Sequence, residues 1–99
     1  MIIAKPFPNG TFGIQYDCPG CGDKHHLPIK NTGPMPKGHE QMWLWNGSME
    51  FPSFRPSILS DLEMHKGRNE VLCHHFVERG IVKFCGDCPK EFANKELPL

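Results

Sequence analysis

The chain has 99 residues, and its eleven basic and eleven acidic side chains leave a formal net charge of zero. This length predicts a single domain over residues 1–99, and the balanced charge argues against nucleic acid as a partner, since nucleic-acid binding draws on clustered basic side chains. No stretch reaches the length of a membrane span or a signal peptide, so we expect a cytoplasmic protein with reduced cysteines and no membrane partner.

Ten glycines and ten prolines leave little room for long helices, because both residues interrupt helical hydrogen bonding. The predicted fold class is therefore mainly β, a small single domain of short antiparallel strands, and the pairs Cys18/Cys21 and Cys85/Cys88 predict a zinc-knuckle or zinc-ribbon-like site that stabilises it. Residues 31–40 predict a loop, and residues 91–95 predict a single helical turn. The predicted strands are 11–17, 26–30, 41–46, 57–61, 71–77 and 81–85.

Two Cys-x-x-Cys pairs lie near opposite ends of the chain, Cys18 with Cys21 and Cys85 with Cys88. Glycine and proline beside each pair permit the tight turns that direct two thiolates at one metal ion. This spacing predicts a structural zinc site that joins the two halves of the chain. Four thiolates would accept iron as well, so the pattern alone does not choose the metal.

A fifth cysteine, Cys73, leaves the ligand set open. A hairpin that pairs Val77 with Ile81 would place Cys73 opposite Cys85, so that either thiol could reach the metal. His25 follows Cys21 by four residues and is either a further ligand or a surface or supporting residue. His75 shares a strand face with Cys73 and could replace a thiolate.

Trp43 and Trp45 alternate along one predicted strand and would share a face. The plain interpretation is a core-forming strand that is closed by the turn at Asn46 and Gly47. The functional interpretation is that an indole lines a binding groove.

Several motifs carry a resemblance to a known family when they are taken together. The motifs are Cys18-Pro19-Gly20-Cys21-Gly22-x-x-His25, Trp43-x-Trp45-Asn46-Gly47, Pro52-x-Phe54-x-Pro56-Ser57-Ile58 and Cys73-His74-x-Phe76-Val77. In these motifs the chain resembles a family of small phage and bacterial proteins of unassigned function, some of which carry the label ammonia monooxygenase. It more distantly resembles the peptidase-like domain encoded beside bacterial ubiquitin-like conjugation genes.

The resemblance implies roles for three residues: Ser57 as nucleophile, His74 as the base that takes its proton, and Asp87 as the group that orients the imidazole. It also implies an aliphatic residue where Cys85 stands. That comparison favours Cys18, Cys21, Cys73 and Cys88 as the metal ligands. The related pattern Asp-Cys-x-His is changed here, because Lys90 stands where the second histidine is expected.

Two functions follow from these patterns. The first is a small hydrolase that cuts a peptide or ester bond, with the C-terminus of a ubiquitin-like protein as its partner along the Trp43 strand. The second is a non-catalytic zinc-ribbon-like adaptor, encoded by a phage, that grips a host protein through Trp43, Trp45 and the 31–40 loop. Ser57 within hydrogen-bond reach of an imidazole beside an open groove would favour the hydrolase, and a buried Ser57 would favour the adaptor.

Overall fold

Two antiparallel sheets make up the fold in a computed structural model, which describes residues 2–61 and 71–99. The first sheet has the order β1-β2-β3 and the second the order β4-β5-β6-β7-β8. The strands are β1 (Ile2–Ala4), β2 (Gly13–Asp17), β3 (Lys24–Pro28), β4 (Leu44–Trp45), β5 (Phe54–Asp61), β6 (Val71–Glu78), β7 (Ile81–Phe84) and β8 (Glu96–Pro98).

The two sheets share one core, because buried side chains of both belong to a single cluster. The first sheet contributes Ile14, Tyr16 and Leu27, and the second contributes Phe54, Val77 and Val82 among others. A parallel bridge between Ile29 and Trp43 also joins the sheets, with the Trp43 amide donating to the Pro28 carbonyl at 2.9 Å. The sheets therefore hold each other through packing and through backbone hydrogen bonds.

The predicted fold class is confirmed: the described residues form strands and turns with no helix. The structure also contains two strands that were not predicted, β1 and β8, each three residues long. The 91–95 segment supplies one turn closed by the Ala93 amide on the Pro89 carbonyl at 3.0 Å. Among the described residues, no helix is long and apolar enough to cross a bilayer.

The β6–β7 hairpin differs from the predicted register by one residue. Glu78 pairs with Ile81 and His75 with Phe84, around a two-residue turn in which Arg79 and Gly80 have φ of 48° and 79°. Positive φ at both central residues is typical of a type I′ turn, whose twist matches that of the strands. The predicted pairing of Val77 with Ile81 is therefore wrong.

The corrected register moves Cys85 to the other face of the sheet from Cys73. A one-residue shift reverses the face of every side chain on a strand. The Cys85 amide donates to the His74 carbonyl at 2.9 Å, so Cys85 stands beside His74 and not opposite Cys73. Cys73 and Cys85 consequently cannot substitute for each other at one metal ion.

Strand β5 is irregular where it passes β6. Phe54 pairs with Val77 and Ile58 pairs with His75, so four steps along β5 match two steps along β6. The two extra residues form a bulge that contains Pro56, which has no N–H to give to a ladder. Ser57 follows Pro56 within this bulge, which sets the direction of its side chain.

Candidate functional site

Three polar side chains form a hydrogen-bonded chain on the surface of the second sheet. The Ser57 Oγ lies 3.1 Å from Nε2 of His74. The His74 Nδ1 lies 3.1 and 3.0 Å from the two carboxylate oxygens of Asp87. This is the order of hydroxyl, imidazole and carboxylate that activates a serine nucleophile.

Ser57, His74 and Asp87 are each positioned by a different part of the second sheet. The bulge in β5 presents Ser57, and alternation along β6 turns His74 away from its buried neighbours Cys73 and His75. Asp87 lies in the turn after β7, within the Cys-x-x-Cys segment from Cys85 to Cys88.

Cys88 fastens that turn to strand β6. Its Sγ accepts a hydrogen bond from the His74 amide at 3.3 Å and donates to the His74 carbonyl at 3.0 Å. Cys88 is buried, with 7% of its surface exposed. The sulfur of Cys88 therefore holds the Asp87 turn against the residue whose side chain Asp87 contacts.

Ser57 is one of the residues that line an open groove of about 490 Å³. The side chains of His74 and Asp87 are 26% and 49% exposed, so solvent and small molecules have access to both side chains. Trp43 and Leu59 supply apolar walls, and the Trp43 Nε1 donates to the Ser57 carbonyl at 3.4 Å. The other lining residues come from the 31–40 loop and its end: Gly38, His39, Glu40 and Gln41.

Trp45 does not line this groove. Its indole stacks on Phe12 at 5.5 Å between ring centroids, and its Nε1 donates to the Ser48 carbonyl at 3.0 Å. Trp45 therefore packs between the first sheet and the 46–53 loop, whereas Trp43 lies beside Ser57.

A second cluster lies on the buried side of β6. Ligand atoms of Cys18, His25, Cys73 and His75 all lie within 4.8 Å of one another, and all four residues are buried. Cys18 follows β2 and His25 is on β3, whereas Cys73 and His75 are on β6. The cluster therefore joins the two sheets at their shared core.

The contacts within the cluster are close. The Sγ atoms of Cys18 and Cys73 are 3.6 Å apart, and the Cys73 Sγ is 3.1 Å from Nδ1 of His75. The other His75 nitrogen, Nε2, is hydrogen-bonded to the Tyr16 hydroxyl at 2.7 Å. Tyr16 thus fixes the ring so that Nδ1 faces the cysteines, which is how supporting residues commonly orient metal-binding histidines.

Cys18 and His75 have the protonation states that metal binding requires, whereas Cys73 keeps its proton and would release it to an ion. Burial lowers the pKa of His75 to about 4, with the neighbouring His25 adding to the effect, so its imidazole is neutral. Hydrogen bonds from Cys21 and Cys73 lower the pKa of Cys18 far below its usual range, and contacts with Cys18 and Cys21 raise that of Cys73. Neutral imidazole and thiolate are the forms that ligate metals.

His25 behaves differently from His75. Burial lowers its pKa, but hydrogen bonds to Cys18 and Cys21 outweigh that effect and raise it to about 9. An imidazolium there balances the negative charge of the thiolate. A bound cation would take over this role, because it supplies positive charge at the same place.

The predicted ligand residues fall into three places. Cys18 and Cys73 lie in the buried cluster together with the alternates His25 and His75. Cys21 is at its border, with its Sγ 3.4 Å from Nε2 of His25. Cys88 and Cys85 lie outside this four-residue cluster, and Cys85 stands with His74 and Asp87.

Sequence reasoning missed Tyr16, and it named Cys88 as a metal ligand without foreseeing that its sulfur bonds to the His74 backbone. Tyr16 lies two residues before Cys18, and strand alternation places their side chains on one face. That spacing was a usable signal for Tyr16. The bonding of Cys88 to the His74 backbone gave no comparable signal, because it depends on the hairpin register.

Comparison with known proteins identifies a family that covers most of the chain. A family model described as "Bacterial ubiquitination-like system serine protease (BubE)" matches residues 5–85. No curated protein and no solved structure matches the chain. The matched range includes Ser57 and His74 and ends two residues before Asp87.

Proposed function

The chain belongs to the bacterial ubiquitination-like system serine protease family, and on that premise we propose that it is a peptidase whose nucleophile is Ser57. The observation that carries the proposal is the hydrogen-bonded series of Ser57, His74 and Asp87, with Ser57 lining an open groove. Ser57 is half-buried and bonded to an imidazole, which supports the hydrolase over the adaptor.

The arrangement supports acyl transfer. Nε2 of His74 takes the Ser57 proton as Oγ attacks the carbonyl carbon, and the same proton then goes to the departing amine. Asp87 accepts from Nδ1–H, which keeps Nε2 free as the base and stabilises the imidazolium that forms. Water attacks the acyl-serine in the second half of the reaction, with His74 again as base.

The groove suits an extended peptide end. Trp43 and Leu59 line the groove together with Ser57 and offer apolar contact to an extended segment. We propose the C-terminal tail of a ubiquitin-like protein as the substrate, with Trp43 as the main binding residue. Such a tail is flexible enough to enter lengthwise.

We also propose zinc at the buried cluster, held by Cys18, His25, Cys73 and His75. The donor set fits, because two sulfurs and two imidazole nitrogens are the ligands that zinc prefers in four-coordinate structural sites. When bound, the ion supplies folding free energy to a single domain over residues 1–99. The proton transfers remain with Ser57 and His74.

The direct test is a fluorophosphonate, which reacts covalently with activated serines. We expect the wild type to acquire one label at Ser57 and to cleave a peptide fused to the C-terminus of a ubiquitin-like protein. Ser57→Ala should lose both reactions. Ser48→Ala is the matched control, since Ser48 lies in the 46–53 loop, bonded through Oγ to the Phe51 amide and away from the groove.

Labelling that persists in Ser57→Ala would overturn the assignment of the nucleophile. If the folded wild type neither reacts with the probe nor cleaves the fusion, the peptidase proposal is wrong and the non-catalytic adaptor becomes the favoured function. Circular dichroism on all three proteins separates loss of chemistry from loss of fold.

A further inference from the structure

Cys85 places a thiol beside the proposed catalytic residues. Because the β6–β7 hairpin turns over two residues, Cys85 lies next to His74 on the outer face of the sheet. Ligand atoms of His74, Cys85 and Asp87 all lie within 4.8 Å of one another. The proposed peptidase mechanism gives Cys85 no task.

These three side chains offer one sulfur, one nitrogen and one oxygen. Thiolate and imidazole favour zinc and other thiophilic divalent ions, and a carboxylate completes a three-ligand set with one position left for water. Cys85 and His74 are half-buried and Asp87 is exposed, so an ion from solvent reaches them. The cluster also lies on the opposite face of β6 from Cys73 and His75, which separates it from the buried site.

We propose that His74, Cys85 and Asp87 form a second, inhibitory site for a thiophilic divalent cation such as Zn²⁺. The proposal that this site binds an ion rests only on the positions of the three side chains and does not require peptidase activity. Inhibition rests on the proposed function, because it requires His74 to be the base.

Occupation of the site would disable His74 through either ring nitrogen. An ion on Nδ1 displaces the Asp87 hydrogen bond and leaves the proton on Nε2, which then cannot accept another from Ser57. An ion on Nε2 blocks the base directly. Asp87 would be drawn to the ion in both cases, so it would no longer orient the ring of His74.

Binding is tested first, without reference to activity. Ser57→Ala protein with its buried site filled by zinc is titrated with ZnCl₂ in a calorimeter. We expect one additional ion per chain. In Ser57→Ala with Cys85→Ala, the affinity for that ion should fall by more than about tenfold, since even outer supporting residues are worth about 10–100-fold in metal affinity.

Inhibition is tested on chains that keep Ser57. The rate of fluorophosphonate labelling is measured against zinc concentration, with each protein normalised to its own rate without added zinc. We expect Cys85→Ala to need more than about tenfold more zinc for half-inhibition. Cys85→His, which restores a ligand, should regain zinc sensitivity.

Several outcomes would overturn the proposal. These are no additional ion in Ser57→Ala, equal affinity with and without Cys85, equal zinc sensitivity of wild type and Cys85→Ala, or faster labelling when zinc is added. If the wild type does not react with the fluorophosphonate at all, the proposed function fails, and the calorimetric comparison still decides the metal site. Cys85→Val serves as a second ligand-free variant if Cys85→Ala is poorly folded.

Discussion

Adjacent residues on strand β6 belong to different sites. His74 faces the groove and bonds to Ser57 and Asp87, whereas Cys73 and His75 face the buried cluster. The alternation of side chains along a strand is sufficient to produce this separation. Changes at neighbouring positions should therefore act through different causes, on the chemistry at His74 and on folding and metal binding at Cys73 and His75.

Asp87→Asn should lower kcat for peptide cleavage by at least about 100-fold, the smaller end of what general acid–base catalysis contributes. An amide in place of the carboxylate neither holds the correct tautomer nor stabilises the imidazolium. Steady-state kinetics should show most of the loss in kcat and little in KM. Asp23→Asn, an exposed carboxylate in the turn between β2 and β3, is the control, and an equal loss there would contradict the role of Asp87.

Tyr16→Phe should weaken metal binding at the buried site by about 10–100-fold. The change removes the hydroxyl that lies 2.7 Å from Nε2 of His75 and leaves that buried nitrogen without its partner. Loss of such a partner costs about 1–3 kcal/mol of folding free energy. Competition with a chromophoric chelator measures the affinity, and an unchanged zinc affinity would show that Tyr16 does not orient His75.

At the level of elements, sequence reasoning identified the strand-rich fold and the central strands, because alternation and turn residues report on both. It did not predict the two-residue turn between β6 and β7 or the bulge in β5, and these two features determine which side chains meet at the candidate site. Positive φ at Arg79 runs against the preference of an arginine, so a two-residue turn was not indicated. The β5 bulge adds two residues around Pro56, and its length depends on how β6 pairs with β5.

The proposed catalytic residues could be predicted from the sequence more fully than the metal ligands. Ser57, His74 and Asp87 were singled out by the resemblance of local motifs, and the structure brings them into contact. The metal ligands were harder to predict from the sequence. The choice among Cys73, Cys85, His25 and His75 depends on which face each strand turns to the core. That choice reverses with a one-residue change of register.

Arg79→Asn should stabilise the hairpin. Asn tolerates positive φ and precedes Gly80, which gives the Asn-Gly pair preferred in type I′ turns. The expected gain is about 0.5–1 kcal/mol in the free energy of unfolding, measured by urea denaturation. Gly80→Ala is the contrasting variant and should destabilise, since its φ of 79° is unfavourable for a residue with a Cβ. A destabilised Arg79→Asn would argue against this turn.

At the scale of the whole molecule, the buried cluster joins the two sheets. Cys18 and His25 belong to the first sheet and its following turn, and Cys73 and His75 belong to the second. A chain of 99 residues has a modest core, so an ion at this junction would contribute a large share of the stability.

Removal of the metal should therefore lower Tm by about 15–30 °C, the effect of about 4 kcal/mol in a domain of this size. Cys73→Ala should reproduce the loss and should make Tm insensitive to chelator. Cys85→Ala is the matched control, because Cys85 lies on the other face of the sheet and outside the buried cluster. Equal Tm for wild type and Cys73→Ala by differential scanning calorimetry would argue against a structural ion.

The two-sided strand β6 also bears on how the protein matures. A bound ion would hold Cys73 and His75 on the core side of the strand, which would keep their neighbour His74 directed at Ser57. A newly made chain that has not yet acquired metal has less to hold this alignment, and a slip of one residue would present a different side chain to the groove. We therefore expect proteolytic competence to appear only after metal uptake, so that the supply of metal in the cell would time the onset of cleavage.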